Sequence, residues 1–275
     1  MPLFYTIVTY VLAGVFGLCV GSFLNVVIYR VPNGMSLATP SSHCPKCNYV
    51  LRWYDNIPIL SYVILGGKCR KCREKISFRY TAVEIFNTLL WLLSVYLFWD
   101  KSIPYAIITA LLSSILICVF FIDLEHKLVF DRFVIMIALL GIASIFFDPY
   151  YDWLSHVIGG VVGFGSFYLI SYLFYKIKGK EGLGGGDVKL TGAAGLLLGW
   201  ERLLLSILIA AISASIILLI ISGRKGNTPK SDEESSDTDE GQGEYPFAPF
   251  LATAFLISTY AGYYIISSYL SLLGI

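Results

Sequence analysis

Two aspartates and four cysteines carry the chemistry available to this sequence. Asp187 closes the run Glu181-Gly182-Leu183-Gly184-Gly185-Gly186-Asp187 and is followed by Val188-Lys189-Leu190, while Asp123 directly follows the apolar stretch from Cys118 to Ile122. A carboxylate at the edge of a hydrophobic span is costly, and by default it marks a functional site. Alone, Asp187 does no more than favour a helix N-terminus, and either acid can simply meet a lysine such as Lys189 or Lys127. A pair reads differently. Two carboxylates close together in a low-dielectric site cannot both ionise, so they share one proton. The ionised member takes a proton from water while the protonated member donates to a carbonyl. That is general acid–base peptide hydrolysis without a covalent intermediate.

Glycine permits close backbone approach, so Gly184, Gly185 and Gly186 are expected to let an extended substrate segment lie beside the acid. Lys189 and Asp131 complete the candidate active-site loop, with Asp131 as a supporting polar contact. Glu125 reads as a solvated interface charge, and Glu84 as an acid that needs a polar neighbour and lines the same cavity. No Ser–His or Cys–His pair of comparable placement competes.

Cys44-Pro-Lys-Cys47 and Cys69-Arg-Lys-Cys72 are two Cys-x-x-Cys pairs with 21 residues between them. That spacing matches a tetrahedral four-thiolate zinc site, and the neighbouring cations help hold the thiolates ionised. Two disulfides are the alternative, disfavoured in a reducing cytosol. Four thiolates leave no open position for water, so the ion is expected to be structural and to fold a loop too small for its own core. His43 is a spare donor beside Cys44, whereas His126 and His156 have no ligand spacing. Cys19 and Cys118 lie in apolar runs and read as small hydrophobes.

The elements that position these groups cross a membrane. The chain is 56% hydrophobic and 14% charged with mean hydropathy +0.72, far outside soluble averages. Apolar runs fall at about 3–29, 80–99, 103–122, 129–147, 153–177, 203–221 and 247–270, with a shorter one at 188–199. The first has no basic n-region or clear cleavage site, so it is expected to be a retained helix rather than a signal peptide. With eight spans and the N-terminus outside, 18 of the 20 lysines and arginines share one side, and only Lys101 and Arg202 lie opposite. That side is cytosolic. The predicted architecture is an all-α polytopic membrane protein of about eight helices. It comprises a first helix (1–29), a cytosolic four-cysteine domain (30–79) and a seven-helix membrane domain (80–275). This topology puts Asp123 and Asp187 at the same depth on the cytosolic edge. Gly159, Gly160, Gly163, Gly165, Gly195 and Gly199 carry small-residue spacing for close helix packing. No basic face supports a nucleic-acid partner.

At Gly184-Gly185-Gly186-Asp187, at Asp123 with Asp131 eight residues on, at Gly21-Ser-Phe-Leu-Asn-Val-Val-Ile-Tyr-Arg-Val-Pro32 and at the two cysteine pairs, the sequence closely resembles the type IV prepilin peptidases. These are bifunctional leader peptidase/N-methyltransferases of the Gly-x-Gly-Asp intramembrane aspartic proteases. The resemblance covers nearly the whole chain, with its motifs in order. It implies catalytic Asp123 and Asp187, and cleavage of the basic leader of prepilins and pseudopilins after a glycine, on the cytosolic face of a bacterial cytoplasmic membrane. It also implies methylation of the new N-terminus with S-adenosylmethionine, for which the residues show no signature of their own.

Residues 222–246 depart from a compact connection. Seven acids fall between Ser231 and Glu244, a composition expected to be disordered. Its sharper reading is attraction of a basic leader. The competing class is a transporter or channel using paired intramembrane acids, which would place them near the bilayer midplane.

Overall fold

In hydrocarbon an apolar run must satisfy its backbone within itself, so it forms a helix. The computed structural model describes residues 3–179, 183–225 and 246–274, and is all-helical among them apart from turns and isolated bridges. The acidic loop expected at 222–246 falls largely on 226–245, outside the described residues. The helices are α1 (Leu3–Arg30), α2 (Leu60–Ile64), α3 (Phe78–Phe98), α4 (Ile103–His126), α5 (Asp131–Phe147), α6 (Trp153–Lys178), α7 (Gly185–Leu198), α8 (Trp200–Lys225) and α9 (Ala248–Leu272). Each of the eight apolar runs forms one helix. Six of them, α1, α3, α4, α6, α8 and α9, are long and apolar enough to cross a membrane. With 17 residues in α5 and 14 in α7, the other two are shorter; 14 residues rise only about 21 Å.

Close packing without side chains assembles the bundle. A Cβ on Gly17 would sit 2.9 Å from Thr88 Cα, and one on Gly21 2.9 Å from Glu84 Cα, so α1 lies directly on α3. Buried amides reinforce the contact: Asn87 donates to the Gly17 carbonyl (2.8 Å) and Asn25 to that of Tyr80 (3.0 Å). Within hydrocarbon such bonds add to packing as helix glue.

The same device seats α7. A methyl on Gly159 would strike the Gly195 carbonyl, and one on Gly163 would sit 2.7 Å from the Thr191 carbonyl, so α6 and α7 touch backbone to backbone. On the opposite flank, Gly141 of α5 meets the Leu197 amide, and the Ser144 hydroxyl donates to the Leu197 carbonyl at 3.0 Å. The small-residue spacing is therefore helix packing, and the helix it holds begins at the Gly-rich stretch.

At the end opposite Asp123, Arg202 is fully buried. It donates to the Tyr105 hydroxyl (2.6 Å), the Leu198 carbonyl (2.6 Å) and the Asp148 carboxylate. His156 Nε2 lies 3.5 Å from the same carboxylate. One pair of charges thus ties α4, α8 and the α5–α6 connection together.

Candidate active site and metal centre

Asp123 stands in the last turn of α4, which ends where Lys127 takes a left-handed conformation (φ 55°) and donates its amide to the Asp123 carbonyl. The next segment carries Val129 across to α7, where a Cβ on Gly186 would sit 2.8 Å from Val129 Cβ. Gly186 is thus a contact between the α4–α5 connection and α7. Gly184 is the N-cap of α7 and Gly185 begins it, so Asp187 belongs to the helix's first turn. Both flanking glycines are exposed; a Cβ on Gly185 would meet nothing within 4 Å, and one on Gly184 would find the Asp187 carboxylate at 3.5 Å. None of Gly184, Gly185 and Gly186 has positive φ, so any need for glycine here is spatial rather than conformational.

Both acids are buried and lie at the same end of the bundle, where Gly186, beside Asp187, contacts Val129, six residues past Asp123. The Ala248 amide, at the start of α9, is directed at the Asp123 carboxylate. Among the described residues, Asp123 Oδ2 is buried without a hydrogen-bond partner. Thr191, one turn beyond Asp187, donates its hydroxyl to the Asp187 carbonyl at 2.8 Å and steadies this end of α7. Ala248 escaped the sequence reading. Its only local trace is Pro246-Phe-Ala-Pro249 at the head of an apolar run, a helix-start signal that says nothing of what the amide will face.

The remaining polar candidates sort differently. Lys189 pairs with Asp131 at 2.8 Å, both side chains well exposed, rather than with Asp187. Glu125 pairs with Arg79 of α3. Glu84 accepts the Ile59 amide at 2.8 Å, which gives this acid its polar neighbour and ties α3 to the 30–79 module. Both aspartates lie within a turn of a helix end, which does not match the midplane placement expected of a transporter.

In the 30–79 module, Cys44, Cys47, Cys69 and Cys72 present their sulfurs within 4.8 Å of one another. Cys44 and Cys72 are 3.8 Å apart, and Cys47 and Cys69 3.9 Å. Four thiolates at about 2.3 Å around a tetrahedral ion stand roughly 3.8 Å from each other, so the donor set fits zinc. Two matching turns produce it. Asn48 and Arg73 each take positive φ and donate their amides back to Cys44 and Cys69. The amides of Cys47 and then Lys46 pull the Cys44 thiol down to about 6, toward the form a metal binds. His43 contacts the Ser41 carbonyl and stays outside the cluster.

Below this cluster Asp55 accepts from Arg70 (2.7 Å), the Arg52 amide and the Tyr49 hydroxyl. Burial alone would raise its pKa; those donors, Arg70 first, outweigh it and hold the carboxyl below its ordinary value.

These features define a class: a multi-pass helical membrane protein with two buried acids at one end and a four-cysteine module joined to the same end. Its two halves match separate family descriptions, Bacterial Peptidase A24 N-terminal domain over residues 15–98 and Type IV leader peptidase family over residues 110–219. A prepilin leader peptidase/N-methyltransferase of Myxococcus xanthus is 38% identical over 84% of this chain and 68% of its own length. That of Pseudomonas aeruginosa is 32% identical over 99% and 96%. That of Neisseria gonorrhoeae is 33% identical over 78% and 83%. No solved structure matches. The chain belongs to the type IV leader peptidase family. It is a membrane peptidase whose relatives join that activity to N-methyl transfer.

Proposed function

We propose that the chain removes the basic leader of type IV prepilins and pseudopilins at the cytosolic face of a bacterial cytoplasmic membrane, using Asp123 and Asp187 as a catalytic dyad. The observation that carries the reading is the burial of two acids, one from the end of α4 and one from the start of α7, at the same end of the bundle where Gly186 contacts Val129. Asp123 Oδ2, free of hydrogen bonds, takes a proton from water. The hydroxide attacks the scissile carbonyl carbon while the partner acid protonates its oxygen. The tetrahedral diol then collapses: Asp123 passes its proton to the amide nitrogen, Asp187 takes one back from a diol hydroxyl, and the C–N bond breaks. The Ala248 amide holds Asp123 in place through this sequence. Exposed Gly184 and Gly185 leave the approach to Asp187 clear of side chains. Lys189 and Asp131 stand at its rim as a solvated pair.

In this proposal the four cysteines hold a structural zinc ion that shapes the cytosolic module. The released N-terminus is then methylated with S-adenosylmethionine as donor. The two cavities described do not suit that donor. One, about 400 Å³, is apolar but for Lys189 and lies among α5, α6 and α7. The other, about 280 Å³, lies at the far end around Tyr150 and Trp200.

The test is cleavage of a prepilin-like peptide by the purified protein beside Asp123→Asn and Asp187→Asn. Loss of a general acid or base is expected to cost at least about 10²–10⁴-fold. Full cleavage by either variant would sink the dyad.

A further inference from the structure

The cytosolic module carries an apolar surface and a charge that the peptidase reaction does not use. Residues 30–79 hold nine lysines and arginines against two acids. Their balance of +7 stays strongly positive even with a divalent ion on four thiolates. Among the described residues, Lys68, Lys71, Arg73 and Lys75 are exposed, with no carboxylate in salt-bridge range. The bridge between Lys68 and Lys75 sets two of these cations side by side.

Next to this charge lies α2. Its side chains Val63 and Ile64 are 67% and 68% exposed, and Leu60 is exposed as well. Water should reject such a face unless something apolar covers it. The position of α2 names the cover. Its N-cap, Ile59, is a β-branched residue held at φ 61° with its amide on the Glu84 carboxylate. Glu84 lies six residues into α3, about 9 Å along the helix, and packs on Gly21, nine residues before the end of α1. The Glu84 side chain leans toward the start of α3, so the start of α2 is held level with the first turns of α3, at the boundary of the membrane-spanning helices. That is the depth at which interfacial helices bury their apolar faces, about 5–10 Å into the headgroup boundary.

We infer that α2 is an interfacial anchor: Leu60, Val63 and Ile64 enter the acyl region of the cytosolic leaflet, while Lys71, Arg73 and Lys75 bind anionic phospholipid headgroups. Charge complementarity selects the occupant, since a module of +7 attracts an anionic leaflet and repels basic segments and a second copy of itself. The anchor has a consequence for the aspartates. Arg79, at the start of α3, pairs with Glu125, two residues past Asp123. The pose of the module is thereby tied to the helix end that carries the acid.

The experiment reconstitutes the full chain in phosphatidylcholine vesicles with or without phosphatidylglycerol, each lipid in turn bearing an acyl-chain diazirine, and maps photoadducts by peptide. Adducts on residues 60–64 are expected and should rise with phosphatidylglycerol content. They should fall at least about fivefold for each cation reversed in Lys71→Glu, Arg73→Glu and Lys75→Glu, with zinc content and helicity of the variants unchanged as the folding control. Either of two results overturns the inference. These are no lipid adducts at 60–64, or adducts indifferent to lipid charge and to the reversals.

Discussion

Gly163→Ala separates the packing of α7 from its chemistry. The added methyl would sit 2.7 Å from the Thr191 carbonyl, where ordinary contact begins near 3.4 Å, a shortfall of about 0.7 Å. The obstacle is backbone on α7, so no side chain can rotate away; one helix must move. Overpacking of this kind costs about 1–3 kcal/mol, and replacing a helical glycine returns about 1 kcal/mol. The net loss in stability is therefore about 0–2 kcal/mol. Activity should suffer more. Thr191 is one turn from Asp187 and bonded to its carbonyl, and a misplacement near 1 Å costs about 10²-fold. Cleavage should fall roughly 10- to 100-fold while the melting temperature in detergent drops by a few degrees. Gly165→Ala is the control, since its Cβ would meet nothing within 4 Å; it should keep both properties. Parental cleavage by Gly163→Ala, or an equal loss in Gly165→Ala, would refute the reasoning.

Other perturbations reach the rest of the molecule. Arg202→Met strands the buried Asp148 carboxylate and should cost about 3–5 kcal/mol, seen as a lower melting temperature that the added change Asp148→Asn partly restores. Asp55 has a depressed pKa in the folded module, so its contribution is present above the unfolded value near pH 4 and is lost as pH falls through the folded value. Hydrogen exchange across 49–76 should accordingly be faster in Asp55→Asn at neutral pH, with the difference from the parent vanishing in acid. Cys47→Ser breaks the four-sulfur cluster and should lower bound zinc, measured by elemental analysis, while loosening the same amides. Zinc retained at full stoichiometry would argue against the site.

The sequence was enough to locate the eight long apolar helices in order, because hydropathy is a local property that the bilayer reads directly, but not the short α2. Asymmetry of lysine and arginine was enough to put Asp123 and Asp187 on one side, and the cysteine spacing to name a metal centre. It also marked Gly159, Gly163 and Gly195 as packing residues, without naming what they touch. Contacts were decided by the tertiary structure. Gly186 meets Val129, Lys189 meets Asp131 rather than Asp187, and Glu84 holds the Ile59 amide. Ala248 comes to Asp123 from 125 residues away in the chain, with a backbone amide that every non-proline residue possesses. Arg202, in the first turn of α8, and Asp148, just past the end of α5, stand apart in the chain until α4, α5 and α8 converge. Periodicity and composition record which face of a segment leaves water; they hold no record of which partner that face meets.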